Sequence, residues 1–266
     1  MTRSDPRPFA GRSLLAVFAH PDDEALACGG TLARCAAEGA QVRLLCATEG
    51  GAGQGQPEKG RTLSEIRRQE LHEAAARLGV TEVVLLDHED GDLRSVAPTV
   101  LRGEILVVIR HYRPDVVITF GEDGLYWHPD HLVIHEQVTD AVARLDRRPP
   151  ALWYVTLLAG MMSRALEAAR THPGAPRDLG FWGIDPSAFG ARAQPPTLEL
   201  DVRAHAPQKL AALRCHRTQI DERSPFAWLT DAEAADLLGT EHFHRAAVGD
   251  QQTSFLESLE SLIANR

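Results

Sequence analysis

The sequence predicts an α/β fold with a Rossmann-like, mainly parallel sheet and helices on both of its faces. Short apolar runs alternate with segments of helical period up to residue 157, which is the pattern of repeated βα units. Gly39 and Gly79 lie just past two of the predicted helix ends, where a left-handed residue closes a helix at low cost. With 44% apolar residues in a chain of 266, the protein can bury the core of one large domain.

The first strand is predicted over 14–19, where apolar residues follow one another without interruption, and a helix follows over 24–38. The later units are strands at 41–47, 82–86, 115–120 and 151–157, with helices at 63–78, 98–112 and 130–145. A strand order around 3-2-1-4-5, common in doubly wound sheets, places the first and fourth strands side by side.

The segment 159–196 is predicted to be an ordered loop region near a site, because its glycines and prolines leave no sustained period. A strand near 197–202, a helix near 207–215 and a closing helix near 252–264 complete the chain. We therefore expect a single domain over 1–266, with a core at about 12–158 and a C-terminal extension over 159–266 that completes the site and the fold.

Charge and composition narrow the class of partner. The 28 Lys and Arg residues against 37 Asp and Glu give a formal charge of −9, which argues against nucleic acid, since its binders neutralise phosphates with clustered cations. No apolar stretch approaches the roughly 20 residues of a membrane span, and no signal-peptide pattern is present. The four cysteines form no C-x-x-C pair, which suits reduced thiols. We predict a cytoplasmic protein with a small-molecule substrate and no nucleic-acid or membrane partner; a homo-oligomer stays open.

Polar side chains follow two of the predicted strands. The motif His20-Pro21-Asp22-Asp23-Glu24 comes directly after the first strand, and the motif His128-Pro129-Asp130-His131 follows the fourth. Loops that leave the carboxyl ends of neighbouring parallel strands flank the crevice where the winding of the sheet reverses. We therefore expect the two motifs to face each other across one site.

The residue types in these motifs indicate a metal hydrolase. A catalytic zinc takes about three nitrogen or oxygen ligands and keeps one position for water. His20, Asp23 and His131 supply such a set. Asp22 and His128 then remain for proton transfer, which is the separation of ligands from acid and base that metal-assisted hydrolysis requires.

Each feature also has a plainer interpretation. Asp22 and Asp23 could cap the first helix, and His131 with His135, four residues later, could form a different metal pair. The glycine-rich segment 48–55 lacks the Gly-Lys-Ser/Thr ending of a phosphate-binding loop. It is interpreted either as a rim or lid beside the site or as a solvated linker.

The paired His-Pro-Asp motifs, in this order, resemble those of the LmbE-like/PIG-L de-N-acetylases. Further matches are Arg67-x-x-Glu70, Asp90-Gly91, Lys209 and His216-x-Thr218-Gln219, so that the resemblance covers 14–220. It implies a zinc hydrolase that removes an acetyl group from an N-acetylglucosamine-type conjugate, such as N-acetylglucosaminyl malate or inositol.

The resemblance also implies roles, position by position. His20, Asp23 and His131 would bind Zn²⁺, Asp22 would be the general base, and His128 would be the acid or the oxyanion partner.

Outside this central set, Asp130 would orient His128, and Tyr126 would help to hold the oxyanion. Arg67 and Asp90 match positions that contact the sugar, and His216 would line the site.

Trp127 departs from the family pattern, in which many members have a small residue directly before the second motif. An indole there would narrow the pocket or stack on a sugar face, so fine specificity is not carried over. The alternative within the same class is an amidase that acts on a sugar-linked thiol S-conjugate. The alternative from another class is a non-catalytic sugar- or nucleotide-binding module.

Overall fold

The computed structural model describes residues 7–56 and 60–263, with side chains up to 260. Its strands are β1 (Ser13–Phe18), β2 (Gln41–Thr48), β3 (Glu82–His88), β4 (Val116–Phe120), β5 (Ala151–Thr156), β6 (Leu198–Asp201) and β7 (Thr240–Gly249). They form a seven-stranded sheet in the order β3-β2-β1-β4-β5-β7-β6. The first five strands pair in parallel, and β7 runs antiparallel to both of its neighbours.

The sheet is flanked by helices whose ends follow from local sequence. The helices are α1 (Asp23–Ala37), α2 (Leu63–Arg77), α3 (Pro98–Tyr112), the distorted single turn α4 (Gly124–Trp127), α5 (Pro129–Ala143), α6 (Met161–Arg170), α7 (Ala206–Leu213), α8 (Asp231–Leu237) and α9 (Phe255–Ile263). Thr62 and Thr230 open α2 and α8 with capping boxes, and α3 and α5 begin at proline. In the described part of the chain, no helix is long and apolar enough to cross a membrane.

The predicted fold class is confirmed, and the first five strands have the expected order 3-2-1-4-5. Every strand and helix predicted up to residue 157 is present, with ends that shift by no more than two residues. Gly39 and Gly79 adopt φ angles of 99° and 73°, the left-handed conformation expected past a helix end. β4 and β5 are buried along their whole length, and β1 is buried beyond Ser13, so these strands form a rigid base for the loops at their carboxyl ends.

The prediction for the C-terminal part of the chain misses three elements, α6, α8 and β7. Part of the predicted loop region 159–196 is the helix α6, which buries one face and begins after Gly160, a residue with φ 83°. The buried residues of this helix recur at helical spacing, but the glycines and prolines on both sides conceal so short an amphipathic segment. The strand β7 and the short helix α8 were also missed. In β7 one of the buried positions is Glu241, a charged residue that interrupts the apolar alternation by which strands are recognised.

Two helical glycines have opposite surroundings. A Cβ atom at Gly30 in α1 would overlap Val202, whereas a Cβ atom at Gly103 in α3 would meet no atom within 4 Å. We expect Gly103→Ala to raise the free energy of unfolding by about 0.5–1 kcal/mol, through helix propensity. We expect Gly30→Ala to lower it by about 1–3 kcal/mol, through overpacking. Chemical denaturation measures both changes, and effects of the same sign would contradict this account of α1.

Candidate metal centre

The three predicted metal ligands meet where β1 and β4 end. His20 Nδ1 lies 3.2 Å from His131 Nε2 and 3.4 Å from Asp23 Oδ2. His131 Nε2 lies 3.2 Å from Asp23 Oδ1. β1 leads directly into the turn that carries His20 and then into α1, which begins at Asp23. β4 leads through α4 into the first turn of α5, which carries His131. The strand-end argument therefore brings together residues more than a hundred positions apart.

The separations of these donor atoms fit a zinc ion. Zinc bonds of 2.0–2.1 Å in tetrahedral geometry place two ligand atoms about 3.3 Å apart. His20, Asp23 and His131 are 7%, 4% and 0% exposed. Buried imidazoles and a carboxylate that converge at this spacing form a donor set suited to zinc.

The charges at the cluster favour a cation. Burial lowers the pKa of His20, but hydrogen bonds to Asp130, Asp23 and Asp90 outweigh burial and raise it well above its usual value. Burial also opposes ionisation of Asp23, yet His131 and His20 hold the pKa of its carboxyl well below the usual range. The carboxylates thus stay ionised in a buried place, where they attract positive charge.

His20 is oriented by carboxylates on its far side. Its Nε2 lies 3.1 Å from Asp130 Oδ2 and 3.0 Å from Asp90 Oδ1. Asp130 is itself held by the backbone N–H groups of Gly91 and Leu93, at 2.8 and 3.1 Å. Hydrogen bonds of this kind place the ring proton on Nε2 and leave Nδ1 free to bind a metal. Donor atoms of His20, Asp90 and Asp130 also lie within 4.8 Å of one another, but they use the nitrogen of His20 that faces away from His131.

The predicted action of Asp130 on His128 is corrected by these contacts. The carboxylate of Asp130 contacts His20, and only its backbone N–H reaches His128, donating to Nδ1 at 3.2 Å. A neutral His128 therefore carries its proton on Nε2. The side chain of Asp130 thus orients His20, a predicted metal ligand, and Asp130 contacts His128 only through its backbone.

His128 lies against the predicted ligands, with its ring centroid 4.7 Å from that of His20 and 4.6 Å from that of His131. One nitrogen from each of these three histidines lies within 4.8 Å of the others, so His128 is near enough to serve as a further ligand. Burial, followed by the neighbouring His131 and His20, lowers the pKa of His128 to about 4. Near neutral pH its Nε2–H is a hydrogen-bond donor, which favours the oxyanion role over proton donation.

Asp22 presents a carboxylate that helix capping does not use. It is the residue before α1, with φ 114°, and its side chain makes no capping hydrogen bond, so the capping interpretation of Asp22 is wrong. Arg67 Nη2 donates to its Oδ2 at 3.1 Å. Burial raises the pKa of Asp22 to about 6, against the opposing effect of Arg67. A carboxylate with a raised pKa that remains ionised near neutral pH suits a general base.

Arg67 lies behind Asp22, where it connects the metal-site turn to the glycine-rich segment. It is 3% exposed and donates to the carbonyl oxygens of Pro21, at 2.5 Å, and Gly50, at 2.8 Å. A Cβ atom at Gly50 or Gly53 would overlap its guanidinium group. The segment 48–55 is therefore packed against the site, which supports the rim interpretation over that of a solvated linker. The predicted sugar contact of Arg67 stays a prediction.

Asp90 also joins this segment to the site. Its Oδ2 accepts the backbone N–H of Ala52 at 2.9 Å while its Oδ1 faces His20. The predicted sugar contact of Asp90 likewise stays a prediction.

The predicted substrate contact of His216 is corrected. His216 is fully buried, and its Nε2 lies 2.8 Å from Glu24 Oε1. Burial lowers the pKa of His216, but Glu24 more than offsets this, so the net pKa is raised and the protonated imidazole is favoured beside this carboxyl group. Glu24 Oε2 in turn accepts the backbone N–H of Asp22 at 3.1 Å. His216 thus supports the conformation of Asp22 from inside the protein, through Glu24.

Tyr126 and Trp127 lie beside His128 in a strained turn. The Tyr126 ring is 5.8 Å from that of His128 and 4.7 Å from that of Phe189, and burial raises the pKa of its hydroxyl above the usual value. The hydroxyl thus stays protonated, as an oxyanion donor must. Trp127 has φ 67° and is 48% exposed, with the guanidinium of Arg192 6.0 Å from its ring centroid. The indole is open to solvent on one side, where a ligand could stack.

The side chain of His135 makes its contacts away from the candidate metal centre. Its Nδ1 lies 2.9 Å from the carbonyl oxygen of Phe120, and its ring packs at 4.7 Å on Tyr154. The alternative metal pair of His131 and His135 is therefore not favoured.

Sequence reasoning missed Glu241 in β7, which holds α1 in place. Backbone N–H groups of Gly30 and Thr31 donate to its carboxylate at 2.9 and 2.7 Å, and Lys209 Nζ donates at 2.6 Å. These amides are available because α1 is kinked at Cys28, which has a φ of −149°. In the sequence, the only indication of this buried ion pair was that Lys209 matches a position of the family pattern.

Comparison with known proteins shows the following similarities. The family model "PIG-L: GlcNAc-PI de-N-acetylase" matches residues 15–142. The 1D-myo-inositol 2-acetamido-2-deoxy-alpha-D-glucopyranoside deacetylase of Thermobispora bispora is 34% identical over 273 residues, covering 88% of each chain. Among solved structures, the N,N'-diacetylchitobiose deacetylase of Pyrococcus horikoshii superposes with a TM-score of 0.60 at 21% identity, covering 88% of this chain and 84% of the other. GalB, the 4-carboxy-2-hydroxymuconate hydratase of Pseudomonas putida, reaches 0.62 at 18% identity, covering 91% and 99%. Because the two structures have different named activities, the shared fold alone assigns neither.

Proposed function

Because the chain belongs to the PIG-L family of de-N-acetylases, we propose that it hydrolyses the acetamide of an N-acetylglucosamine conjugate at a zinc ion bound by His20, Asp23 and His131. The observation that carries the proposal is the convergence of two buried imidazole nitrogens, 3.2 Å apart, on the carboxylate of Asp23, whose two oxygens lie 3.4 Å from His20 Nδ1 and 3.2 Å from His131 Nε2. The aglycone that we propose is an inositol, since several relatives at 30–34% identity are named for that substrate.

Zinc in this position would supply a Lewis acid that polarises the acetamide carbonyl and lowers the pKa of water. Asp22, adjacent to Asp23 and 17% exposed at its side chain, takes the proton from the attacking water. The same carboxyl then returns that proton to the leaving amine. Acetate and the free amino sugar conjugate are the products.

The developing oxyanion needs hydrogen-bond donors on the side of the second motif. His128 supplies its Nε2–H, because its Nδ1 already accepts the backbone N–H of Asp130. The protonated hydroxyl of Tyr126 is the second donor. Donors held in place before the reaction contribute more to the rate than donors that must reorient, which is the advantage of the fixed His128 ring.

Metal removal tests the proposal directly. We expect a chelator to abolish amine release and Zn²⁺ to restore it, with about one metal ion per chain by elemental analysis. His131→Ala should lose the metal. His135→Ala, which removes a histidine of the same helix that bonds to a backbone carbonyl, should keep it. Full activity in metal-free protein would refute the metal assignment.

A substrate panel identifies the aglycone. We expect release of the primary amine to be fastest from N-acetylglucosaminyl inositol, slower from N-acetylglucosaminyl malate and slowest from a thiol S-conjugate. A reversed order would favour the amidase alternative. Tight sugar binding without turnover by the metal-loaded protein would favour a binding module.

A further inference from the structure

A large cleft lies at the amino-terminal ends of the central strands, on the side of the sheet opposite the candidate metal centre. It has a volume of about 1250 Å³ and is lined by the residues that lead into β1, β4 and β5, with the beginning of α9. Part of the lining is apolar, including Ile109, Leu145 and Phe255. This volume exceeds the roughly 300–1,000 Å³ of most small-ligand sites, so the cleft has room for a small organic ligand, and its lining is mixed.

The polar part of this cleft is rich in arginine. Its lining contains Arg12, Arg110, Arg113, Arg147 and Arg148. Arg12 pairs with Asp115 at 3.6 Å. Within residues 7–56 and 60–263, no ion pair is formed by the other four guanidinium groups.

The acidic residues of the lining are engaged by backbone groups. Asp115 accepts the N–H of Ser13 at 2.9 Å, and Asp250 accepts the N–H of Gln252 at 2.9 Å. Because five arginines face only two carboxylates in this lining, the cleft is a local concentration of positive charge in a protein whose formal charge is −9.

Two of these arginines occupy backbone positions that favour glycine. Arg113, which ends α3, has φ 48° and ψ 57°, and Arg148 in the loop before β5 has φ 48°. Left-handed conformations are unfavourable for residues with a Cβ atom, and glycine is the usual residue just after a helix. Residues held in unfavourable backbone conformations cluster at functional sites such as ligand-binding sites.

We propose that this cleft binds a small phosphorylated metabolite with an apolar or aromatic portion, of the size of a nucleoside diphosphate. The guanidinium groups pair with the phosphates, because their planar donors match phosphate oxygens. The apolar surface receives the remainder of the ligand. A concave site in an acidic protein suits a small anion better than a nucleic-acid strand.

Calorimetric titration of the metal-loaded protein tests the proposal, with ADP, pyrophosphate and adenosine as separate probes. We expect one saturable ADP site per chain, weaker binding of pyrophosphate and the weakest binding of adenosine. Arg110→Gln/Arg147→Gln should weaken ADP binding by about tenfold or more, as expected for the loss of charged hydrogen bonds. Arg170→Gln, at an exposed arginine that ends α6, should bind ADP normally.

The double variant Arg113→Gly/Arg148→Gly distinguishes a loss of ADP binding from a loss of protein stability. Glycine relieves the left-handed backbone, so its melting temperature should be unchanged or higher while its ADP affinity falls about tenfold or more. Deacetylation without ADP should be unchanged in both double variants, which keeps this result independent of the proposed function. Absence of saturable ADP binding, or equal affinity in the cleft variants and Arg170→Gln, would overturn the proposal.

Discussion

Replacing Asp22 by asparagine is expected to lower kcat by about 10²–10⁴-fold, which is the usual contribution of a positioned general base. Asparagine has nearly the same shape and, like aspartate, tolerates a positive φ, here 114°. It can still accept the hydrogen bond from Arg67, but it cannot accept a proton. Amine-release kinetics measure kcat, and elemental analysis should show that the metal content is unchanged.

Asp236→Asn is the matched control, because this aspartate lies exposed on α8. It should retain the kcat of the unmodified protein. If Asp22→Asn kept its metal and more than a tenth of the activity, another group would have to act as the base, and the pathway through Asp22 would be wrong.

The predictable part of the fold is the part that obeys local rules. Each strand from β1 to β5 is mainly apolar and is followed by a helix. The known topology of doubly wound sheets then gives the order β3-β2-β1-β4-β5. The strand β7 obeys neither rule. It follows β6 in the chain but lies between β5 and β6 and pairs antiparallel with both. Such a pairing depends on contacts between distant segments, which periodicity does not report.

In the candidate site, the sequence predicted which side chains would meet but not which atoms would bond. The convergence of His20 with His131 follows from neighbouring strand ends. The contact of Asp130 with His20 rather than His128 depends on the rotation of a few side chains within about 3 Å. The burial of His216 behind Glu24 depends on how α7 packs on α1, which no motif encodes. The side chains that hydrogen-bond to the residues of the candidate site are therefore the part of the site that sequence predicts least well.

The buried pair of Lys209 and Glu241 shows how α7 and β7 support α1, the helix that begins at Asp23. Their side chains are 4% and 3% exposed. Glu241 accepts two backbone N–H groups of α1 after its kink, so it acts as a cap inside the helix. Lys209 neutralises that carboxylate. Removing one partner of a buried pair costs far more than the pair contributes, because the other charge remains without compensation.

We expect Lys209→Met to lower the free energy of unfolding by about 3–5 kcal/mol. The further change Glu241→Gln should recover part of that loss, because it removes the unpaired buried charge and its single amide oxygen still accepts one of the two helix N–H groups. Arg217→Met, which breaks the exposed pair with Glu73, should cost only about 0–1 kcal/mol. Chemical denaturation of the three variants measures these differences. If Lys209→Met were no more destabilising than Arg217→Met, the kinked α1 would not depend on this ion pair for its position.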